Sequence, residues 1–314
     1  MTHFPTFLLG PTAAGKSEIA LRLAEEDNAA LLSLDSMQVY RGLDLGTGKP
    51  TPAEQTRIPH GALDLVDWWE PFDTARYLEA AAIFLHKQME ASRPVYIVGG
   101  TGLYFRALTR GLSEAPPAPE ALREELRALP LPELQRRLRA ADPAQEQEAA
   151  FDWQNPRRVQ RALEVIESTG LPLREWHRQT ATAPIILHSR AIHLTRERED
   201  LRARIARRTE TMLEKGWIDE VRARIAERSL AEMRECAAIG YSVLAAEIER
   251  GGLPSSTFVP EKGRQTIVDQ TRQYAKRQLT WFKRESNLET LMIPPGEPST
   301  QTALRLRSLL GSHA

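Results

Sequence analysis

Short apolar runs alternate with amphipathic stretches over the first hundred residues of the chain. TFLLG (6–10), ALLSLDS (30–36) and PVYIVGGTG (94–102) predict buried strands, each followed by polar residues or glycines. Between the first two, SEIALRLAEED (17–27) carries its apolar residues on one helical face. This alternation predicts a parallel sheet covered by helices, with functional residues at the carboxyl ends of the strands.

The pattern changes near residue 113. Residues 113–152 are rich in Pro, Glu, Arg and Ala, with helical periodicity and no candidate strand, and NPRRVQRALEVIESTG (155–170) continues as a helix. Apolar runs typical of strands return near residue 185, in PIILHSRAIHLT. The chain is therefore predicted to have a first core segment at 1–112, a mainly helical insertion at 113–182 and a continuation of the core at 183–314.

The composition limits the function classes. Lys and Arg together number 42, as do Asp and Glu, so the net charge is zero and only local clusters can argue for nucleic acid. The single cysteine, Cys236, excludes an internal disulfide and a zinc site built from several cysteines. No apolar run reaches the roughly 18 residues of a membrane span, so we expect a cytoplasmic protein that does not bind membranes.

The strongest motif follows the first predicted strand. GPTAAGKS has the form G-x-x-x-x-G-K-S and is followed by a predicted helix, as in a P-loop NTPase-like core. Its backbone N–H groups and Lys16 would bind phosphate oxygens, and Ser17 would be a ligand of Mg²⁺. The alternative is a glycine turn with a surface lysine. The predicted phosphate-binding residues are Gly10, Pro11, Thr12, Ala13, Ala14, Gly15, Lys16 and Ser17.

Two further polar positions lie at the ends of predicted strands. Asp35, in LDSMQVYRGLDLGTGKP (34–50), suits a metal-binding or catalytic carboxylate, although it would equally cap the following turn. Thr101, in GGTGLYFRAL (99–108), would contact a phosphate or substrate, or cap a helix. His60 is interpreted as a structural histidine.

Two basic clusters occur late in the chain. TRQYAKRQLTWFKR (271–284) contains no acid and interleaves its basic residues with aromatics, which favours nucleic-acid backbone over an ordinary solvated face. A helix would place Arg277, Thr280 and Arg284 on one face. In TREREDLRARIARR (195–208), most charges predict pairs within the helix, but Arg204 or Arg208 could reach the phosphate site.

Several of these segments together resemble the bacterial tRNA dimethylallyltransferases, also called tRNA isopentenyltransferases. The resemblance spans roughly residues 7–284. At four positions this chain departs from the residues that are common in the family: it has Ala14, Gly48, Gly61 and Ser242 there. The segments that carry it, in chain order, are GPTAAGKS, LDSMQVYRGLDLGTGKP, PHGALD, GGTGLYF, NPRRVQRALEV, AIGY and TRQYAKRQLTWF.

The resemblance implies transfer of a dimethylallyl group from dimethylallyl diphosphate to N6 of the adenine 3′ of the tRNA anticodon, with release of pyrophosphate. It implies that Asp35 is the general base and that Thr101 lies beside the reacting groups. Lys16, Arg208 and an Mg²⁺ ion on Ser17 would neutralise the leaving group. The helical insertion would bind the anticodon stem. The implied tRNA contacts are Asp35, Ser36, Met37, Gln38, Arg123, Arg157, Arg158, Val159, Gln160, Arg161, Ala237, Ala238, Ile239, Gly240, Tyr241, Ser242, Lys276, Arg277, Gln278, Leu279, Thr280, Trp281, Phe282 and Lys283.

Other functions share some of these features. A P-loop small-molecule kinase would use Lys16 to hold ATP and Asp35 to activate a hydroxyl group. An isopentenyltransferase acting on free adenine nucleotide would need neither the insertion nor the basic cluster. A nucleotide-dependent RNA-binding switch is the non-enzymatic alternative. For the favoured function we expect a monomer whose partners are the tRNA anticodon stem-loop and dimethylallyl diphosphate.

Overall fold

The computed structural model of the chain describes residues 4–112, 115–149, 151–178, 184–251 and 258–311. The chain forms two compact units. The first comprises Met1–Ala107 and Ile186–Ala314, and the second comprises Leu108–Ile185. The insertion predicted at 113–182 falls inside the second unit, and its role in tRNA binding stays a prediction.

Strands and helices alternate along the first unit. The strands are β1 (Thr6–Leu9), β2 (Ala30–Leu34), β3 (Tyr40–Arg41), β4 (His60–Gly61), β5 (Val66–Asp67), β6 (Val95–Gly99), β7 (Arg190–Arg196) and β8 (Glu289–Ile293). The helices of the chain are α1 (Lys16–Asp27), α2 (Pro52–Arg57), α3 (Thr74–Glu90), α4 (Gly102–Arg110), α5 (Glu120–Ala128), α6 (Leu131–Ala141), α7 (Pro156–Thr169), α8 (Leu173–Arg178), α9 (Arg198–Glu214), α10 (Trp217–Glu227), α11 (Leu230–Arg234), α12 (Tyr241–Glu249), α13 (Glu261–Phe282) and α14 (Ser299–Gly311).

The main sheet is parallel throughout, with strand order β4-β2-β6-β1-β7-β8. Its register aligns the last residues of three neighbouring strands, because Gly99 of β6 pairs with both Leu9 of β1 and Leu34 of β2. The loops that follow these strands therefore leave the sheet at one edge. The predicted α/β class with a parallel sheet is confirmed.

Two apolar cores hold the helices of the first unit. One lies between the sheet and α1, where Leu23 packs with Leu8 of β1 and Leu306 of α14. The other surrounds Trp217 and Tyr241, both fully buried, on α10 and α12. Burying an aromatic side chain of this size contributes about 1.5–3 kcal/mol, so these residues fix the helices that carry the site.

The regular secondary structure that is described for the second unit consists of helices. Leu126 of α5, Leu134 and Leu138 of α6, and Val159 and Leu163 of α7 form its core. Asn155 caps the start of α7 by accepting a hydrogen bond from the Arg158 N–H, and Gly170 ends the helix in a left-handed conformation.

Two element boundaries differ from the sequence prediction. The strand expected near residue 185 begins only at Arg190, which pairs with Thr6, and the preceding Leu187 is largely exposed. Helix α13 ends at Phe282, so Arg284 lies in the turn beyond it and not on the helical face predicted for Arg277 and Thr280.

Candidate active site

The GPTAAGKS segment forms a tight loop between β1 and α1. Gly15 stands at the N-cap of α1 in the left-handed region, with φ of 99°. Gly10 has φ of 147°, and a β-carbon there would lie 2.2 Å from the Leu194 carbonyl oxygen, so only glycine fits. The backbone N–H groups at the start of α1 and its helix dipole provide the elements of an anion site.

Two arginines hold this loop through its carbonyl oxygens: Arg204, one of the two arginines expected from the sequence to reach the phosphate site, and Arg196, which was not predicted. Arg196, at the end of β7, donates from Nε to the Ala14 carbonyl oxygen at 2.8 Å and from Nη1 to Asp200 at 2.9 Å. Arg204, on α9, donates from Nε to the Ala13 carbonyl oxygen at 2.9 Å. These donors occupy the carbonyl oxygens of Ala13 and Ala14, and Arg204 also borders the cavity beside the loop.

Lys16 is held within the loop itself. Its Nζ donates to the carbonyl oxygens of Gly10 at 2.9 Å and Pro11 at 2.7 Å. Burial, together with the charge of Arg208, lowers the pKa of Lys16 to about 7, although the charge of Asp35 opposes the shift. The negative charge of a bound diphosphate would favour the protonated, positively charged form of this buried amine.

Asp35 follows β2 at the same sheet edge. Its Oδ1 accepts a hydrogen bond from the backbone N–H of Met37 at 2.8 Å, which is the turn-capping contact that the sequence allowed. Burial raises the pKa of Asp35 from its ordinary value, while the Met37 hydrogen bond and the charges of Lys16 and Arg208 act in the opposite direction. A carboxylate with a raised pKa is a stronger proton acceptor than an exposed one.

Thr101 lies beside Asp35. Its Oγ1 accepts a hydrogen bond from the backbone N–H of Ser36 at 3.2 Å, so the loop after β6 is tied to the loop after β2. Phenol rings also surround this region, and Tyr77 stacks on Tyr104 with ring centroids 3.7 Å apart. The structure thus brings together Lys16, Asp35 and Thr101, although their catalytic roles stay predictions.

Arg208 reaches the site from α9. Its Nη2 donates to the Thr47 carbonyl oxygen at 3.4 Å, and a β-carbon on Gly48 would lie 2.2 Å from the same nitrogen. Gln38 donates from Nε2 to the carbonyl oxygens of Thr47 at 3.4 Å and Gly48 at 3.2 Å. The side chain of Gln38 therefore fixes the loop that Arg208 contacts.

The loop that carries Gly48 is anchored by a buried amine. Lys49 is 2% exposed at its side chain and forms ion pairs with Asp44 at 2.5 Å and Asp64 at 2.6 Å. Its Nζ also donates to the Tyr40 carbonyl oxygen at 2.8 Å. Because all of its donors face protein oxygens, we assign Lys49 a structural role beside the site.

The site opens into two cavities of the first unit. A cavity of about 320 Å³ is bordered by Lys16, Ser17, Asp35, Arg208 and Gln278. A larger one of about 1020 Å³ shares Lys16, Ser17 and Arg208 and continues past Arg204 and Lys215. The phosphate loop and Asp35 thus border one cavity, with several cations and room for a diphosphate ester.

The residues present fit Mg²⁺ through a single protein ligand. Ser17 follows Lys16 at the start of α1 and is exposed. Among the described residues, no group of three or more His, Cys, Asp or Glu side chains could hold a metal by itself. Mg²⁺ commonly uses one or two protein oxygens together with substrate phosphates and water, which is the arrangement that Ser17 allows.

The basic cluster of α13 presents two faces. Lys276, Arg277 and Lys283 are exposed and form no ion pair with any residue that the structure describes, whereas Arg272 pairs with Asp269. We call these three unpaired cations the basic strip. Within the same segment, Gln278 and Phe282 are buried, so their side chains face the protein.

Other predicted tRNA-binding segments are also partly buried. In the 237–242 segment, Ala238 and Tyr241 lie in the core, and the Tyr241 hydroxyl donates to Glu220 Oε1 at 2.5 Å. In the second unit, Val159 is buried, whereas Arg157 and Arg158 are exposed. These buried side chains pack in apolar cores because water exclusion favours them there, so only the exposed members of each segment offer side chains to a ligand.

Two further arginines of the second unit are engaged within it. Arg161 donates from Nη2 to the Ala115 carbonyl oxygen at 3.0 Å and pairs with Glu164 at 3.5 Å. Arg123 pairs with Glu120. His60 donates from Nδ1 to the Ile58 carbonyl oxygen at 2.7 Å, and burial lowers its pKa, in agreement with a structural histidine.

Comparison with known proteins identifies the family of the chain. Residues 38–285 match the model of the IPP transferase family, and residues 6–60 match that of isopentenyl transferases. The chain belongs to the IPP transferase family. It is 42% identical over 282 residues to a tRNA dimethylallyltransferase of Methylacidiphilum infernorum, covering 90% of this chain and 83% of the relative. It is 40% identical over 283 residues to a tRNA dimethylallyltransferase of Azorhizobium caulinodans, covering 88% of both.

Solved structures agree with this membership. The tRNA isopentenylpyrophosphate transferase of Bacillus halodurans superimposes with a TM-score of 0.68 at 32% identity, covering 99% of this chain and 96% of that one. The resemblance inferred from the motifs is confirmed, and this IPP transferase family member is an enzyme. No helix among the described residues combines the length and the apolar character needed to cross a membrane.

Proposed function

We propose that this IPP transferase family member transfers a dimethylallyl group from dimethylallyl diphosphate to N6 of the adenine 3′ of a tRNA anticodon. The observation that carries the proposal is the shared cavity of about 320 Å³, which brings the phosphate loop and Asp35 to one space. Relatives at 40–42% identity over most of the chain are named tRNA dimethylallyltransferases, which supports tRNA as the acceptor.

The diphosphate would bind at the start of α1. Backbone N–H groups of the loop, the Lys16 ammonium and the Arg208 guanidinium would face its oxygens, in a site where burial strengthens each charge interaction. Mg²⁺, held by Ser17 and by the diphosphate itself, would neutralise further charge on the leaving group. These groups stabilise pyrophosphate as the allylic C–O bond breaks.

Asp35 would act on the acceptor. The N6 amine is a weak nucleophile because its lone pair is delocalised into the adenine ring. As the new C–N bond forms, an N6 proton would pass to the Asp35 carboxylate, and pyrophosphate leaves with the electron pair of the broken C–O bond. A general base at this position contributes about 10²–10⁴-fold to the rate.

The target adenine must leave its stack in the anticodon loop to reach Asp35. Extruding a base costs a few kcal/mol, and least where the strand is already unpaired. Phosphate contacts from the basic strip, and from Arg157 and Arg158 of the second unit, would offset this cost because all of these side chains are exposed.

The direct test is mass spectrometry of tRNA nucleosides. Purified protein, unmodified tRNA, Mg²⁺ and dimethylallyl diphosphate are combined, and the tRNA is then digested and compared with a reaction lacking the diphosphate. We expect N6-dimethylallyladenosine in amounts limited by the tRNA. Modified free adenine nucleotide with unmodified tRNA would contradict the proposed acceptor.

A further inference from the structure

Gln278 lies between Arg277 and Lys283 of the basic strip in the sequence, but its side chain is buried against the protein. Its neighbours Lys276 and Arg277 are exposed, whereas Gln278 is 5% exposed. Successive residues of an α-helix differ in direction by about 100°. A buried amide can therefore directly follow two cations that are exposed to solvent. A buried amide needs partners for both of its ends, because a buried polar group without a hydrogen bond destabilises the fold.

Both ends of this amide have partners in the candidate site. Oε1 accepts a hydrogen bond from the backbone N–H of Thr12 at 2.8 Å, and Nε2 donates to the Gly100 carbonyl oxygen at 3.2 Å. Thr12 belongs to the phosphate loop after β1, and Gly100 follows the neighbouring strand β6. One side chain therefore bridges two loops that leave adjacent strands.

The fit of α13 against the second loop is close. A β-carbon on Gly100 would lie 2.0 Å from Gln278 Nε2, and one on Gly102 would lie 2.1 Å from Trp281 Nε1. Hydrogen bonds from Thr101 and Gln278 also reach Tyr274, one turn earlier on the helix. Three successive positions on one face of α13 thus contact the GGTG segment, which explains why Gly100 and Gly102 are glycines.

The bridge continues to the carboxylate. Thr101 accepts from the backbone N–H of Ser36 at 3.2 Å, and Ser36 directly follows Asp35. The connection therefore runs from Thr12 through Gln278 to Gly100 and Thr101, and from there to the loop that carries Asp35. It joins the part of the site that would hold the diphosphate to the part that would accept the proton.

We propose that Gln278 is a positioning residue, which fixes the distance between the phosphate loop and the Thr101–Asp35 side of the site. This inference rests on the proposed function. Its physical basis is the dual character of the amide: one end must accept from an N–H and the other must donate to a carbonyl, which an apolar side chain of equal length cannot do. A displacement of about 1 Å between reacting groups lowers a rate by about 10²-fold.

The test compares Gln278→Met with Gln273→Met on the same helix. Gln273 is exposed, so the same substitution there controls for changes in helix propensity and hydrophobicity. Gln278→Asn keeps the amide but shortens it, and serves as a second variant with a smaller change in packing. Each protein is assayed in single-turnover transfer to limiting tRNA with the enzyme in saturating excess, and its folded fraction is measured independently by circular dichroism, so that a loss of folded protein is not read as a slower chemical step.

We expect the single-turnover rate constant of Gln278→Met to fall about 10- to 100-fold, with the KM for dimethylallyl diphosphate within about threefold of wild type. Gln278→Asn should show a smaller loss in the same parameter, and Gln273→Met no loss. A wild-type rate constant in both Gln278 variants, with at most a reduced folded fraction, would overturn the inference and leave Gln278 a packing residue. If wild type transfers no dimethylallyl group, the proposed function fails, and the inference fails with it.

Discussion

The carboxylate of Asp35 accepts a hydrogen bond from the backbone N–H of Met37 at 2.8 Å. This contact fixes the side chain at the end of β2, in the cavity that also borders Lys16 and Arg208. The backbone N–H of Gln38 also contributes a hydrogen bond to this carboxylate. The turn-capping and catalytic roles are therefore compatible, because a carboxylate has further lone pairs for a substrate proton.

The pH dependence of the chemical step should follow Asp35. Burial raises its pKa above the ordinary value of 3.8, against the Met37 hydrogen bond and the charges of Lys16 and Arg208. Since the base acts only when deprotonated, the single-turnover rate should fall as pH decreases through this raised pKa. The acid limb of the pH–rate profile is then expected above the range of an exposed carboxyl group.

Removing the charge of Arg208 should move the acid limb of the pH–rate profile to higher pH. The charge of Arg208 lowers the pKa of Asp35, so Arg208→Gln should shift the acid limb to higher pH as well as reducing the plateau rate. The phenols of Tyr77, Tyr104 and Tyr274 also face this carboxyl group, and wild type and variant share them. An acid limb at the same pH in both proteins would mean that another group titrates.

The basic strip should bind tRNA backbone. Replacing Lys276, Arg277 and Lys283 by Ala should weaken tRNA binding and reduce the slope of log K against log salt by roughly two to three, at about 0.7–0.9 per phosphate contact. Fluorescence anisotropy at several salt concentrations measures this slope. Affinity for the small diphosphate should not change.

A matched triple variant controls for the loss of positive charge. Arg57, Lys87 and Lys262 are exposed cations outside the strip, and Lys262 lies on the same helix α13. Their replacement by Ala removes the same net charge. Equal salt slopes for the two triple variants would make the basic strip an ordinary solvated face.

Dimethylallyl diphosphate should bind the phosphate loop at least about tenfold more tightly than ATP. The larger cavity beside Lys16 and Ser17 has no Phe, Tyr or Trp among the described residues that border it, so adenine would lack an aromatic ring to stack on. Equilibrium competition between the two ligands measures the ratio. Tight ATP binding without measurable binding of the diphosphate ester would favour the kinase alternative.

Tyr241 should prove structural although it lies in a segment implied to bind tRNA. It is fully buried, and its hydroxyl donates to Glu220, whose other oxygen accepts from the backbone N–H of Leu45 at 2.8 Å. Tyr241→Phe should therefore lower the free energy of unfolding by about 1–3 kcal/mol in urea denaturation. Unchanged stability together with weaker tRNA binding would show that the hydroxyl contacts the RNA instead.

Much of the fold could be predicted from local patterns of apolar and polar residues in the sequence. The strands β1, β2 and β6 are buried runs that end in glycine or polar residues, and the phosphate loop has a spacing that few other structures require. Strand β8 was not predicted, because its residues alternate between partly buried and exposed positions and resemble a surface segment. The two-residue strands β3 and β5 are too short to produce a periodic signal.

The parts of the site that sequence could not supply depend on distant backbone partners. Arg196 binds the Ala14 carbonyl across 182 positions, and Gln278 binds the Thr12 N–H across 266. A hydrogen bond to a backbone group does not depend on the residue type of the partner. The sequence therefore contains no complementary residue that would reveal such a contact. Arg196 had one available signal, its place at the carboxyl end of a strand, but the neighbouring acids suggested ordinary helical ion pairs.

The central claim is that Asp35 accepts the N6 proton, and Asp35→Asn tests it most directly. Asn keeps the size of the side chain and can still accept the Met37 hydrogen bond through its amide oxygen, so the turn should survive. It cannot take up the amine proton. Substrate binding is measured alongside the rate, because Asp35 would also contact the amine before the reaction.

The measurement is the single-turnover rate of dimethylallyl transfer to limiting tRNA, with enzyme and dimethylallyl diphosphate saturating and the folded fraction determined independently. The account predicts a loss of about 10²–10⁴-fold for Asp35→Asn, with diphosphate affinity close to wild type. A rate within threefold of wild type would contradict it and assign the proton to a bound water or to the departing pyrophosphate.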